Sequence, residues 1–506
     1  MELKELLETN IAQFGEYPFL YFKEKHYTNV ETKNYADYLA AGLRKLGIAN
    51  GDRVMVVMPN CLEVLFAYQG ISRAGAIIVP IMFTLHAKEI QYIAHNSGAK
   101  AVITSSQVLE KIEKALEELP VKPLIIATDQ PSNTNLLNFY DLMEDLIQDQ
   151  MDRNTNEEDT AVILYTSGTT GNPKGVMLTH KNLYTNALNS AKHSRTERGT
   201  TLGVLPLAHV YGLTVSNISY LTGSSIVVFS QFDIKEVFRA IEQFKVKTFS
   251  AVPAMIHAMV SYPDAKRFDT KSLESVGSGS APLSVALLHA FEEKFGAVVY
   301  EGYGLSEAAP VVTAHRKGLA MKPGSVGVPI PGVKVKVVDD LGVELPIGEV
   351  GELIIRGNNV TPGYYQNPEE SMRVLKEKWL YTGDMARIDN EGYVYIVDRK
   401  KDLIIRGGFN VYPRDVEEIL NAHEEVFEAA VVGVPDERMG EEMVACVVKK
   451  SGSRVSEYEL VRHCQLYLAK NKTPRKVIFL ESLPRNGVGK ILKTQLRETA
   501  IENFIR

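Results

Sequence analysis

The residues best suited to chemistry lie in the segment 165–175, which reads Tyr-Thr-Ser-Gly-Thr-Thr-Gly-Asn-Pro-Lys-Gly and directly follows a strand-like run at 161–165. Its three glycines permit tight turns that point backbone N–H groups at an anion, and its hydroxyl groups and lysine add further donors and a positive charge. This density of donors suits a triphosphate. A glycine-rich surface loop is the plainer interpretation, but the combined pattern disfavours it. The GxxxxGK[ST] signature of P-loop ATPases is absent from this segment.

The segment resembles the phosphate-binding loop of the adenylate-forming superfamily, which contains acyl-CoA synthetases, peptide-synthetase adenylation domains and luciferases. The resemblance extends over nearly the whole chain, because further motifs follow in the family's order. It implies an enzyme that uses ATP to convert a carboxylate into an acyl-adenylate. It assigns binding of the phosphates to Thr166, Ser167, Gly168, Thr169, Thr170, Gly171 and Lys174, with Thr170 also a ligand of Mg²⁺.

A second motif, EGYGLSE at 301–307, follows the strand-like residues 297–300. A flat tyrosine beside glycines can stack on adenine, and a carboxylate can bind a magnesium ion that the phosphates carry. Taken alone, the motif is equally compatible with a β-turn and a solvated glutamate. The resemblance implies nucleotide contacts from Glu301, Gly302, Tyr303, Gly304 and Ser306, and it makes Glu307 a catalytic metal ligand.

Two weaker motifs complete the expected nucleotide site. GSGSAP at 277–282 resembles the family's adenine-side loop, and YTGD at 381–384 resembles its ribose-binding motif. A carboxylate can accept hydrogen bonds from both ribose hydroxyls, although an aspartate here is also typical of an ordinary turn. The residues concerned are Gly279, Ser280 and Ala281 beside adenine, and Asp384 and Arg399 at the ribose.

The motif PRNGVGK at 484–490 resembles the family's catalytic-lysine loop. The ammonium of Lys490 can bridge the substrate carboxylate and the α-phosphate and stabilise the charge that grows during attack. A lone lysine near a chain end is usually a surface residue, and only the other motifs favour catalysis. The resemblance also implies that Lys401 is a hinge, and that Gly407 and Gly408 move beside the pantetheine arm of coenzyme A in the second half-reaction.

The acid is expected to be a fatty acid. PLAHVYG at 206–212 resembles the family's motif at the acid pocket and places His209 near the carboxylate, although a buried structural histidine is the plainer alternative. No aspartate occurs between residues 200 and 232, so a buried substrate ammonium would have no partner there. The wording of PLAHVYGLT and EGYGLSEAAPV most resembles bacterial medium- to long-chain fatty-acid–CoA ligases. The surroundings are apolar and suit an alkyl chain; they comprise Val210, Tyr211, Leu213, Val215, Ile218, Val252, Met255 and Ile256. Activation of an aryl acid, or transfer to a carrier protein instead of coenzyme A, remain the alternatives.

These residues require an α/β scaffold. In the first third, strand-like runs at 53–58, 76–80 and 101–104 alternate with helical runs at 62–74 and 88–97, which predicts a mostly parallel sheet. A second α/β stretch runs from 161 to about 310. We predict a large N-terminal domain, 1–397, made of two α/β subdomains and a β-rich subdomain at about 325–397. A hinge at 398–402 then leads to a smaller, mobile α+β lid at 403–506.

Composition is typical of a soluble globular protein, and we expect a cytoplasmic location. The net charge of −6 disfavours nucleic-acid binding, and three dispersed cysteines fit a reducing compartment. The longest run without a charged residue, 200–232, is broken by glycine and proline, so we predict buried strands and loops there rather than a membrane span. The expected partners are the small molecules ATP, the acid and coenzyme A. The sequence is also compatible with a homodimer and with a peripheral membrane contact.

Overall fold

The structure is a computed structural model that describes residues 1–129, 136–143, 155–166, 172–485 and 491–505. Its described residues form five β-sheets flanked by helices, with a large N-terminal part and a smaller C-terminal part. This mixed α/β architecture confirms the predicted fold class. The limits at 397 and at 398–402 stay predictions.

The largest sheet has eight strands in the order β19-β9-β8-β4-β3-β5-β6-β7, and its centre is parallel. Along β3, Val54 and Val56 join one core, whereas Met55 and Val57 join another on the opposite face. Helices therefore cover both faces, as the run of apolar residues predicted. The strands are β3 Arg53–Val57, β4 Ile77–Ile81, β5 Ala101–Thr104, β6 Leu124–Ala127, β7 Leu137–Asn138, β8 Thr160–Thr166, β9 Lys174–Thr179 and β19 Gly363–Tyr364; the helices are α2 Asn29–Lys45, α3 Leu62–Arg73, α4 Ala87–Ser97 and α5 Ser106–Leu116.

Two further sheets complete the α/β part, with strand orders β10-β11-β1-β2 and β12-β13-β14-β15-β16. The N-terminal strand β1 pairs in parallel with β11, and β8 belongs to the large sheet, so the α/β subdomains are not divided in sequence at residue 161. The strands are β1 Pro18–Phe22, β2 Lys25–Thr28, β10 Thr200–Gly203, β11 Ser225–Val228, β12 Thr248–Ala251, β13 Ser275–Ser278, β14 Val298–Gly304, β15 Val311–Ala314 and β16 Val328–Pro329; the helices are α1 Leu6–Phe14, α6 His180–Ser194, α7 Val210–Thr222, α8 Ile234–Phe244, α9 Pro253–Ser261 and α10 Val285–Phe295.

The interpretation of 200–232 as strands and loops was partly wrong. β10 and β11 are strands, but α7 occupies the middle of the segment. The side chain of His209 caps its first turn, and Gly223 ends it with a positive φ of 70°. Most of this helix is buried, and its partly exposed face, which includes Tyr211, Val215, Ile218 and Thr222, carries no charged residue. The sequence therefore lacks the polar stripe that identifies a surface helix.

The remaining elements form a β-rich unit and the C-terminal unit. In the C-terminal sheet, α12 and α13 cover one face and α14 covers the other. No helix in the described part of the chain has the length and apolar character needed to cross a membrane. The β-rich strands are β17 Val333–Val338, β18 Gly351–Gly357, β20 Leu375–Lys376, β21 Trp379–Ile388 and β22 Val394–Arg399, with α11 Pro368–Val374; the C-terminal unit has β23 Ile404–Arg406, β24 Phe409–Val411, β25 Val426–Asp436, β26 Gly440–Lys449, β27 Lys476–Phe479, α12 Pro413–Asn421, α13 Glu457–Tyr467 and α14 Lys493–Ile505.

Candidate active site

One cleft of about 1620 Å³ lies where the three N-terminal sheets meet the C-terminal unit. Its walls include the end of β8, the start of α7, the strands β12–β14 and the segment before residue 486. Carboxyl ends of parallel strands are common places for ligands, because loops from neighbouring strands converge there. The predicted site residues that line the cleft are Thr166, His209, Gly279, Ser280, Gly302, Tyr303, Gly304, Ser306, Glu307 and Arg399.

The predicted phosphate loop connects two paired strands at the edge of this cleft. Thr166 ends β8 and pairs with Lys174, which begins β9. The connection between these two positions therefore starts at a residue that lines the cleft. Its central residues, Ser167, Gly168, Thr169, Thr170 and Gly171, lie outside the described residues, and their phosphate and metal contacts stay predictions.

The side chain of Lys174 has a partner that sequence reasoning missed. Its Nζ lies 2.5 Å from Oε1 of Glu370 on α11 and 5.8 Å from the centre of the Tyr364 ring. Only 11% of the lysine side chain and 15% of the glutamate side chain are exposed. Because 196 residues separate the two, no local pattern could have revealed the pair.

Glu307 is held from two sides in a short turn after β14. The hydroxyl of Tyr364 donates to its Oε1 over 2.9 Å, and the backbone N–H of Thr361 donates to its carbonyl oxygen over 2.8 Å. Burial, and then the neighbouring Glu307, raise the pKa of Tyr364, so the phenol stays a neutral donor. The carboxylate at the cleft wall thus has a fixed orientation and retains oxygen lone pairs for a hard cation.

Tyr303, predicted to lie at adenine, contacts Asp384, which is predicted with Arg399 to lie at the ribose. The Tyr303 hydroxyl donates to Oδ2 of Asp384 over 2.5 Å, and Arg399 Nε lies 3.3 Å from Oδ1. Asp384 and Arg399 face each other across β21 and β22, which fixes this pair by strand register. Burial, followed by the nearby Asp384, raises the pKa of Tyr303. Stacking on adenine and binding of ribose stay predictions.

Two other residues predicted to lie on the adenine side, Glu301 and Gly279, have clear roles in packing. Glu301 is only 3% exposed, and its Oε1 accepts the N–H of Leu283 over 3.3 Å. Burial raises its pKa to about 7, against the opposing influence of Arg414 and of that N–H group. A Cβ atom at Gly279 would lie 3.2 Å from Cε1 of Tyr211, so glycine leaves room for this ring.

His209 serves as the N-cap of α7 and also lines the cleft. Its Nδ1 accepts the N–H of Tyr211 over 3.2 Å, so this nitrogen carries no proton in the arrangement described. The capping contact orients the ring, which can present its other nitrogen to a bound group. His209 therefore both caps α7 and lines the cleft.

The expected acid pocket follows one face of α7. Residues at helical spacing line the cleft and face β12–β14, and they mix apolar side chains with hydroxyl groups. Of the apolar residues predicted around this pocket, Leu213, Val252 and Ile256 instead lie in hydrophobic cores. The pocket is therefore less apolar than the sequence suggested. Its α7 residues are Val210, Tyr211, Val215, Ile218, Ser219 and Thr222.

The C-terminal unit reaches the cleft through the stem of the predicted lysine loop. Arg485 and Ile491 form an isolated β-bridge, and Pro484 and Arg485 line the cleft. Lys490 itself lies outside the described residues. Gly407 and Gly408, with φ of 57° and 81°, form the turn between β23 and β24.

The predicted hinge residue lies just before that hairpin. Lys401 is part of the short 3-10 helix Lys400–Asp402, which connects β22 of the β-rich unit to β23 of the C-terminal unit. Its position between the two units suits a hinge, and the hinge role stays a prediction.

Comparison with known proteins agrees with this geometry. The AMP-binding enzyme family model matches residues 7–365, and the model of the AMP-binding enzyme C-terminal domain matches 415–490. A long-chain-fatty-acid–CoA ligase of Bacillus subtilis (strain 168) is 36% identical over an alignment of 534 positions, which covers 99% of this chain and 95% of that protein.

Solved structures are similar over their full length. ATP-bound MatB from Rhodopseudomonas palustris has a TM-score of 0.92, 30% identity and full coverage of both chains, and its apo form has a TM-score of 0.81. The anthranilate CoA ligase AuaEII with anthranoyl-AMP has a TM-score of 0.94 at 28% identity, covering 100% of this chain and 98% of that chain.

Proposed function

Because this chain belongs to the family of AMP-binding enzymes, we propose that it is an ATP-dependent acyl-CoA synthetase. The carboxylate of an organic acid attacks the α-phosphate of ATP, which forms an acyl-adenylate and releases diphosphate. The thiol of coenzyme A then attacks the acyl carbon, which forms a thioester and releases AMP. The supporting observation is that Thr166 of the phosphate-loop hairpin, Glu307 and the stem of the lysine loop border one cleft.

In the first half-reaction, each part of the proposed site has its own role. The segment 166–174 binds the phosphates, and Asp384 with Arg399 accepts and donates hydrogen bonds at the ribose. His209 lies at the start of the acid pocket, where its fixed ring orients the carboxylate. Lys490 bridges the carboxylate and the α-phosphate and stabilises the charge that develops between them.

Glu307 and Thr170 suit a magnesium ion, because a carboxylate and a hydroxyl supply hard oxygen ligands. Bound magnesium neutralises part of the charge of the phosphates. The hydrogen bond from Tyr364 orients the Glu307 carboxylate, a role that outer residues commonly have at metal sites.

The acid that fits best is a fatty acid, in keeping with the long-chain-fatty-acid–CoA ligase that this chain resembles. The alkyl chain would extend along Val215 and Ile218 of α7. An aryl acid is the second candidate, because the anthranilate CoA ligase AuaEII is a structural relative of this chain. A ladder of fatty acids assayed beside anthranilate and hydroxycinnamates separates the two.

The second half-reaction requires Lys490 to leave and coenzyme A to enter. We expect the C-terminal unit to turn at Lys401 and to bring Gly407 and Gly408 to the acyl-adenylate, where glycines allow the pantetheine arm to pass close to the backbone. Transfer to a carrier-protein thiol follows the same geometry and stays an alternative. A homodimer, a peripheral membrane contact and a cytoplasmic location stay predictions.

The decisive experiment separates the half-reactions. Purified protein is supplied with ATP, magnesium and a fatty acid, and adenylation is followed by exchange of labelled diphosphate into ATP. Thioester formation is measured separately from synthetic acyl-AMP and coenzyme A. Lys490→Ala is expected to reduce adenylation at least a hundred-fold (about 3 kcal/mol of transition-state stabilisation) while sparing the second step.

The control is Lys470→Ala, which removes an exposed lysine of the same unit. Equal loss of both half-reactions in the Lys490 variant would contradict the assigned role. Release of ADP instead of AMP by the unaltered protein would overturn the proposed reaction.

A further inference from the structure

Glu370 forms an ion pair with Lys174, the lysine of the predicted phosphate loop. Its Oε1 lies 2.5 Å from Lys174 Nζ, and both side chains are mostly buried. An ammonium in this environment needs a counter-ion, because burying it unpaired is costly. Glu370 supplies that counter-ion when no phosphate is present.

The contact is built into the fold rather than made by two flexible surface chains. β19 pairs with β9, and the N–H of Tyr365 donates to the carbonyl oxygen of Gly175 over 2.7 Å. Asn367 then caps α11 by accepting the N–H of Glu370 over 3.1 Å. The first turn of α11 is thereby fixed beside the strand that begins with Lys174.

Glu370 also has a second cationic partner. Arg373, one turn further along α11, donates from Nε to Oε2 over 2.8 Å and from Nη2 to Oε1 over 2.6 Å. A two-bond guanidinium–carboxylate pair satisfies the carboxylate by itself. Glu370 can therefore release Lys174 without becoming an unpaired, half-buried charge.

We propose that Glu370 is a positioning residue that holds the Lys174 ammonium in the absence of nucleotide and exchanges it for the phosphates when ATP binds. The proposal rests on the proposed function, because it requires Lys174 to contact ATP. Because Arg373 keeps Glu370 paired after the exchange, the release of Lys174 costs little free energy. The affinity for ATP then reflects the difference between the lysine–phosphate and lysine–glutamate contacts.

Two substitutions should change this affinity in opposite directions. Glu370→Gln removes the competing charge, and we expect the Kd for ATP to fall about five-fold, the size of a partly exposed ion pair. Arg373→Ala leaves Glu370 dependent on Lys174 alone, so we expect the Kd to rise about three-fold. A purely structural role for α11 would weaken binding in both variants.

The Kd is measured calorimetrically with ATP and magnesium in the absence of acid. Glu369→Gln, at the exposed neighbouring carboxylate, is the matched control and should leave the Kd unaltered. If the glutamine variant does not fold, Glu370→Asp draws the carboxylate back by one methylene and should also lower the Kd.

An unaltered or higher Kd for folded Glu370→Gln would overturn the proposal. So would an unaltered Kd for Lys174→Ala, since the lysine would then not contact ATP. Failure of the proposed function is recognised separately, because the unaltered protein would then make no AMP from ATP and any acid tested.

Discussion

Replacement of Glu301 by glutamine should stabilise the protein in alkaline solution. The carboxylate is 3% exposed, and burial raises its pKa from 4.5 to about 7. Its partners are the Leu283 N–H and, from the C-terminal unit, the more distant Arg414 guanidinium. Glutamine keeps an oxygen that can accept the Leu283 N–H group, but it carries no charge to bury.

The sign and size follow from the raised pKa. Below pH 4.5 the Glu301 carboxyl group is protonated in both the folded and the unfolded chain, so its raised pKa does not change the free energy of unfolding. As the pH rises from 4.5 to 7, stability is lost progressively, because the unfolded chain releases the proton while the folded state retains it; above pH 7 the loss stays constant. A shift of this size corresponds to about 3 kcal/mol in the free energy of unfolding above pH 7. With an unfolding entropy of about 2.1 cal/mol/K per residue, a cooperative unit of roughly 400 residues would gain about 4 °C in Tm.

The assay is differential scanning calorimetry of the unaltered protein and Glu301→Gln at pH 5 and pH 8, at one scan rate. We expect nearly equal Tm values at pH 5 and the higher Tm for the variant at pH 8. Glu293→Gln, at an exposed glutamate of α10, controls for the loss of one negative charge. A Tm difference that does not change with pH, or a less stable variant at pH 8, would refute the reasoning.

Two further substitutions test the network around the site and the N-terminal core. Tyr364→Phe removes the donor that orients Glu307, and we expect the Mg²⁺ concentration for half-maximal adenylation to rise at least ten-fold; an unchanged Mg²⁺ titration would refute that orienting role. Arg73→Met should cost about 1.5–3 kcal/mol of unfolding free energy, because Asp37 and Glu8 each lose a buried guanidinium 2.7 Å away and keep Lys33, at 2.6 Å and 4.0 Å. Urea unfolding measures this loss, and a difference under 1 kcal/mol would show that the cluster is dispensable.

The sequence predicted elements best where a strand is buried on both faces. β3, β4 and β5 appeared as short apolar runs between helical patterns, and the structure reproduces them within a residue or two. Pairing was harder to predict. β1 joins β11 across some two hundred residues, and nothing local in either strand encodes that partner. α7 was missed because the face that it leaves partly exposed lines the cleft and carries no charged residue.

The candidate active site shows the same contrast between features encoded locally and features that depend on long-range contacts. Residues within glycine-rich motifs could be proposed from the sequence and its family resemblance, because a loop that turns and donates hydrogen bonds needs those residue types; their roles stay predictions. Tyr364 and Glu370 could not be identified in this way, because each contacts a partner far away in sequence. Tyr364 is 57 residues from Glu307, and Glu370 is 196 residues from Lys174. Their neighbours in sequence form an ordinary turn and helix start. Only the pairing of β19 with β9 brings them to the phosphate loop.

The orientation of the C-terminal unit places the stem of the predicted lysine loop at the cleft wall, as the proposed first half-reaction requires. Among the described residues of the cleft wall are Pro484 and Arg485, but neither Gly407 nor Gly408. Contacts between the units include the edge-on pair of His257 and Phe427, with ring centres 4.7 Å apart, and a hydrogen bond of 2.6 Å from Arg414 Nη1 to the carbonyl oxygen of Ile396. Contacts of these two kinds contribute about 1 kcal/mol each. Ligands that prefer one orientation by a few kcal/mol can therefore shift the population, which alternation between two half-reactions requires.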